Sequence, residues 1–217
     1  MDLVGLLAFG LLLGMRHATD ADHVVAVTAI AARHRRFLPA VLVGVLWGLG
    51  HSLMLCVVGG AILLFNWTVP PRVGLAFEFA VGLALVTVGA VNVAAGGGAQ
   101  RDETVAPTSS WRAFVVGVVH GLGGSAAIAL LVLASVRDPR AGLLYLAVFS
   151  AGTVAGMVLV TAGIAAPARL LTAKWPGLFR PLRLATGFAS LALGAFILYQ
   201  TGLVDGLFGA TPRFDPH

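Results

Sequence analysis

The chain has one cysteine and one lysine in 217 residues, and Asp, Glu, Lys and Arg together make up only 11% of it. A single thiol, Cys56, excludes an internal disulfide, and its place in an apolar run reads as inert packing. The shortage of charge excludes an ordinary soluble domain, where about a quarter of residues are charged. It equally excludes disorder and a coiled coil. Catalytic motifs are missing too: no nucleophile elbow, phosphate-binding loop or HExxH run is present, so no enzyme is expected. The formal charge of +5 would suit nucleic acid. The basic residues, however, sit in short loops between apolar runs, so no nucleic-acid partner is expected.

What is abundant is apolar sequence and glycine. Hydrophobic residues reach 59%, glycines number 28, and mean hydropathy is +0.95. This is the profile of an all-α integral membrane protein, in which glycine lets helices approach closely. Spans of about 20 apolar residues are predicted at roughly 3–32, 38–65, 73–95, 111–135, 142–166 and 184–208, six helices within one transmembrane domain covering 1–217. The first run begins Met1-Asp2 without a basic stretch or a cleavage site and reads as mature protein. Residues 96–110 read as a flexible linker. Trp67, Trp111 and Trp175 suit interfacial anchoring, with Trp47 lying deeper. Nine Lys/Arg residues fall in the three loops on one side and four (Arg72, Arg137, Arg140, Arg213) on the other. That places the basic loops in the cytoplasm and both termini outside, in a multi-pass protein of the cytoplasmic membrane.

The chain also repeats itself. Gly82 and Gly89, with flanking alanines, match Gly187 and Gly194 at an offset of 105; Gly14-x-x-His17 matches Gly117-x-x-His120 at 103; Gly50-His51 falls against Gly152-Thr153 at 102. Two three-helix repeats are expected, 1–95 and 111–208. Three is odd, so the second would enter the membrane inverted, with a substrate site near the midplane between them.

The polar residues concentrate in the first span, as Arg16-His17-Ala18-Thr19-Asp20-Ala21-Asp22-His23. Each ionisable group at bilayer depth costs about 2.5–3.5 kcal/mol on insertion scales, so five of them must pair, line a cavity or bind something. On an ideal helix His17, Asp20 and His23 share a face, Asp22 joins only if the helix unwinds, and Arg16 can pair with Asp20 at i, i+4. Imidazole with carboxylate is a first-row transition-metal set; a proton relay or an anion-lined path would use the same groups. His51 and His120 lie in other apolar spans and join the candidate ligands. Ser52, Ser125 and Thr153 are candidates for supporting hydrogen bonds to the ligands or for plain helix–helix bonds. Glu78 is either a snorkelling interface residue or an acid at the mouth of a pathway. His34 reads as solvated.

Arg16-His17-Ala18-Thr19-Asp20-Ala21-Asp22-His23-Val24 resembles the HX4DH signature of the nickel/cobalt transporter family, and Leu49-Gly50-His51-Ser52 resembles that family's LGHS motif. The resemblance implies an ATP-independent permease for Ni²⁺ or Co²⁺, with His17, Asp22 and His23 as signature residues and no permanently bound cofactor. There are departures. The family's usual first span is missing. The stretch from His120 to Leu131 has no acid where the family has LGFDTATE, and Thr161 stands where GM-x-x-x-D would put an aspartate. The chain is thus similar to the short urease-accessory-type nickel permeases. Absence of a His-rich loop favours uptake. The expected partners are a divalent metal ion and the bilayer, with homo-oligomerisation open. Two other readings remain: a metal-binding membrane sensor or accessory subunit, and a small-metabolite or anion exporter using Arg16 with His120.

Overall fold

The structure is a computed structural model that describes residues 2–34, 36–65, 69–95, 107–121, 123, 133, 136 and 138–213. The described residues form helices and turns with no strand: α1 (Leu3–His17), α2 (Ala21–Ala31), α3 (Phe37–Phe65), α4 (Pro71–Ala95), α5 (Pro107–His120), α6 (Pro139–Lys174) and α7 (Phe179–Tyr199), which runs on into a π-turn over Gln200–Val204. Among the described residues, four helices are long and apolar enough to cross a membrane, and α1 with α2 makes a fifth crossing if the bent pair is counted as one. The chain is therefore a multi-pass membrane protein in build. Of the expected 111–135 span, the structure describes the part up to Gly121 and scattered residues beyond.

The first span is not the continuous helix that 3–32 suggests. It breaks after His17 and bends by 57°. The Thr19 hydroxyl donates to the Arg16 carbonyl at 2.6 Å, giving the backbone a local alternative to the helix. Asp20 follows in an extended conformation as the N-cap of α2, a position aspartate favours. Other ends also moved. Proline at the first helical position starts α5 at Pro107, inside the stretch read as linker, and Asp138 caps α6 by accepting from the Arg140 N–H at 3.0 Å. α6 then runs through Pro167 to Lys174 rather than stopping before the proline.

The helices pair across the two halves of the chain. α1 packs on α6, α5 on α3, and α4 on α7. Glycine sets each contact. A Cβ on Gly14 would meet the Phe149 carbonyl and one on Gly152 the Leu11 carbonyl. In the other pair, a Cβ on Gly117 would meet the Trp47 carbonyl and one on Gly50 the Phe114 carbonyl. α4 and α7 cross with Gly82 against the Gly194 carbonyl and Gly89 against that of Gly187, and the reverse contacts are made as well. Backbones at this distance leave no room for side chains, the usual way helices associate where lipid supplies no hydrophobic drive. Hydrogen bonds add to the packing: the Ser190 hydroxyl of α7 donates to the Leu85 carbonyl of α4 at 2.7 Å, and the Ser52 hydroxyl joins α3 to α6 by donating to the Ser150 carbonyl at 3.2 Å. Asn92, fully buried on α4, donates to the Ala29 carbonyl of α2 and accepts from Arg33 Nε at 2.7 Å.

Candidate metal centre

Four histidines meet where α1 breaks. His17 ends α1, His23 lies in the first turn of α2, His51 is midway along α3 and His120 ends α5. All are buried, His23 and His51 completely. His17, His23 and His51 each bring one nitrogen to within 4.8 Å of the others; Asp22, His23 and His120 form a second such group.

The break decides what the carboxylates do. Asp20 accepts a hydrogen bond from His17 Nδ1 at 3.0 Å, and Asp22 accepts one from His23 Nδ1 at 2.8 Å. An ionised carboxylate only accepts, so each of these rings carries a proton on Nδ1, and the neutral ring then keeps its lone pair on Nε2. A carboxylate behind an imidazole is the arrangement that orients metal-binding histidines. His17 Nε2 lies 3.1 Å from His51 Nε2. Two nitrogens on one ion at about 2.0–2.1 Å stand about 2.8–3.4 Å apart for angles from square to tetrahedral, so this spacing suits a shared cation. His23 Nε2 and His51 Nδ1 are buried without a hydrogen-bond partner among the described residues. Three neutral imidazoles backed by two carboxylates would leave a bound dication formally neutralised. That is the condition under which charge survives in an apolar interior.

Asp22, which an unbroken helix would direct elsewhere, is thus brought in. The expected Arg16–Asp20 pair does not form: Arg16 is exposed and the Asp20 carboxylate is taken by His17. Ser52 and Thr153 are buried and spend their hydroxyls on backbone carbonyls, Thr153 on Phe149 of its own helix at 3.1 Å. Glu78 is half-buried on α4 and belongs to neither ligand group. Ser125 lies outside the described residues. Cys56 is exposed on α3 rather than packed inside, with its sulfur 3.4 Å from the Ser150 hydroxyl. His34 is half-buried rather than solvated.

Trp47 is the site residue that sequence reasoning passed over. It is fully buried, stacks on His51 with ring planes 10° apart, and contacts the rings of His23 and His120. Its signal was present: Trp47 and His51 are i, i+4 on α3, hence on one face. Phe149 of α6 closes the other side, against His17. Aromatic walls exclude water and lower the local dielectric around the nitrogens.

The urease accessory protein UreH of Bacillus sp. (strain TB-90) is 32% identical over 221 residues, which cover 96% of each chain. The chain belongs to the UreH family. Two chloroplast proteins of Arabidopsis thaliana, FOR GROWTH AND FERTILITY 1 and 2, are each 26% identical over 87% of this chain, which spans 57% and 55% of their lengths. No family model matches the chain. No solved structure matches it either.

Proposed function

We propose that this UreH-family protein is a secondary, ATP-independent permease that carries a divalent transition-metal ion, nickel or cobalt, across the cytoplasmic membrane in the direction of uptake. The observation that carries the reading is the buried His17–His23–His51 cluster with Asp20 and Asp22 behind two of its rings. Buried ionisable groups at this density are costly unless they serve a path or a ligand. Imidazole selects ions of this class, and the resemblance of the Arg16–Val24 run to the nickel/cobalt transporter signature narrows it to Ni²⁺ or Co²⁺. The metal is cargo, so the site must release it; three imidazoles with positions left open bind less finally than a closed structural site.

We read the fold as six spans in two inverted three-helix repeats, both termini outside. Support comes from the glycine contacts. Gly14 and Gly117, Leu11 and Phe114, Trp47 and Phe149, Gly50 and Gly152 are equivalent at offsets of 102–103, and each contact in one half has its counterpart in the other. A site between such halves is where secondary transporters hold substrate.

The test is ⁶³Ni²⁺ uptake into proteoliposomes. We expect saturable flux competed by Co²⁺ but not Mg²⁺, and lost in His17→Ala. Binding without flux would favour a metal-binding sensor or accessory subunit, the reading closest to the word "accessory" in the relative's name. An anion exporter is less favoured, because Arg16, its cation, is exposed whereas His120 is buried.

A further inference from the structure

We propose that the cluster contains two overlapping cation sites that share His23, and that the cargo ion is handed from one to the other; this rests on the transport reading above. The first site is His17, His23 and His51, all from the N-terminal half. The second is Asp22, His23 and His120, which recruits the C-terminal half through α5.

His120 is the strongest sign of the second site. It is buried, and neither ring nitrogen has a hydrogen-bond partner among the described residues. Its Nε2 stands 3.6 Å from Asp22 Oδ2, too long for a hydrogen bond and short enough for one ion to bridge. An imidazole left with two unmatched nitrogens in an apolar interior is unfavourable, and a cation between it and Asp22 removes the mismatch. Asp22 divides its oxygens accordingly: Oδ1 accepts from His23 Nδ1, and Oδ2 faces His120. With Nδ1 so held, His23 has one nitrogen, Nε2, to give, and it is buried without a hydrogen-bond partner among the described residues. The sites therefore exclude each other. They share a donor, and two dications this close inside an apolar protein repel strongly.

The placement also gives a direction. α1 ends at His17 and α5 ends at His120. In the six-span topology these helices enter the membrane from opposite sides, so the proposal assigns each site to the side from which its helix enters. An ion arriving along α1 meets the first site and departs from the second along α5. His23, on the first turn of α2 just past the break, is the pivot.

The experiment combines Co²⁺ ligand-field spectra and Ni²⁺ titration of the purified full-length protein with flux in proteoliposomes, for wild type, His120→Asn, His120→Gln and His51→Asn. Two substitutions at His120, each checked for an unchanged thermal midpoint, guard against a folding defect. The proposal expects one ion per chain in the wild type. It expects the His120 variants to keep the wild-type spectrum and an affinity within about threefold while losing about tenfold or more of the flux, and His51→Asn to lose about tenfold or more in affinity. It is overturned if the His120 variants lose affinity and spectrum as His51→Asn does, which would mean one four-histidine site. Wild-type flux in both His120 variants, or two ions bound at once, would overturn it equally. A wild type that neither binds nor carries Ni²⁺ would overturn the transport reading and the hand-off with it, a result distinct from the others because it appears before any substitution.

Discussion

The two halves of the chain use the same packing and different chemistry. In the N-terminal half α1 ends at a histidine backed by Asp20, and α2 begins with a histidine backed by Asp22. In the C-terminal half α5 ends at His120, 103 residues after His17, with no hydrogen-bonded carboxylate behind it among the described residues. Opposite His51 stands Thr153, whose hydroxyl bonds its own helix. The glycine contacts recur in both halves, but the ligands do not. Packing is the part of the arrangement that both halves must keep, because a Cβ in any of those contacts meets a carbonyl. A ligand set can sit mainly in one half, provided the other reaches it.

The comparison is broken most severely at the glycines. Gly14→Val and Gly117→Val should each destabilise by about 3 kcal/mol or more, since the obstructing atoms are backbone carbonyls of Phe149 and Trp47 that cannot turn away. Detergent-solubilised folding yield, read by fluorescence size-exclusion, should fall alike for both. Folding of one variant with loss of the other would contradict the equivalence of the halves.

Next in size is His23→Ala, which belongs to both ligand groups. Calorimetric Ni²⁺ titration should find binding reduced by about 100-fold or more, on the scale of losing a metal ligand together with its supporting carboxylate. The carboxylates sharpen the contrast further. Asp22→Asn should cost about 10–100-fold in affinity, the range for partners that orient a ligand. Asp20→Asn should cost less, because Asp20 is 42% exposed and water can replace it, whereas Asp22 is 19% exposed. Equal losses in the same titration would argue against this difference. Smallest of all, Arg16→Ala should leave affinity and flux near wild type, since Arg16 is exposed and pairs with neither aspartate. Acidification should weaken Ni²⁺ binding in every variant that binds, because a protonated imidazole has no lone pair to give.

Much of this was legible in the sequence. Composition and apolar runs marked a helical membrane protein, and the density of ionisable groups between Arg16 and His23 singled out the stretch that holds two of the four clustered histidines. The offsets of 102–105 marked glycines that turn out to face one another across the two halves. What the sequence left open depends on where a helix stops. The 3.6-residue period puts His17, Asp20 and His23 on one face only if the helix is continuous. The Thr19 back-bond and the extended Asp20 end that continuity, so Asp20 turns to His17 and Asp22 joins the cluster. The span expected at 142–166 continues through Pro167 to Lys174, because a proline inside a spanning helix removes a single backbone bond and is tolerated. Trp47 and Asn92 were missed for another reason: each is one residue in a long apolar span, and its partners come from helices distant in sequence.

The central claim, that His17, His23 and His51 take a transition-metal ion together, is tested most directly by X-ray absorption at the nickel edge of the protein loaded with one equivalent of Ni²⁺. The account predicts multiple scattering from about three imidazoles with nitrogens near about 2.0–2.1 Å, reduced by one ring in His51→Ala. A shell of oxygen alone, with no imidazole scattering in the wild type, would contradict it.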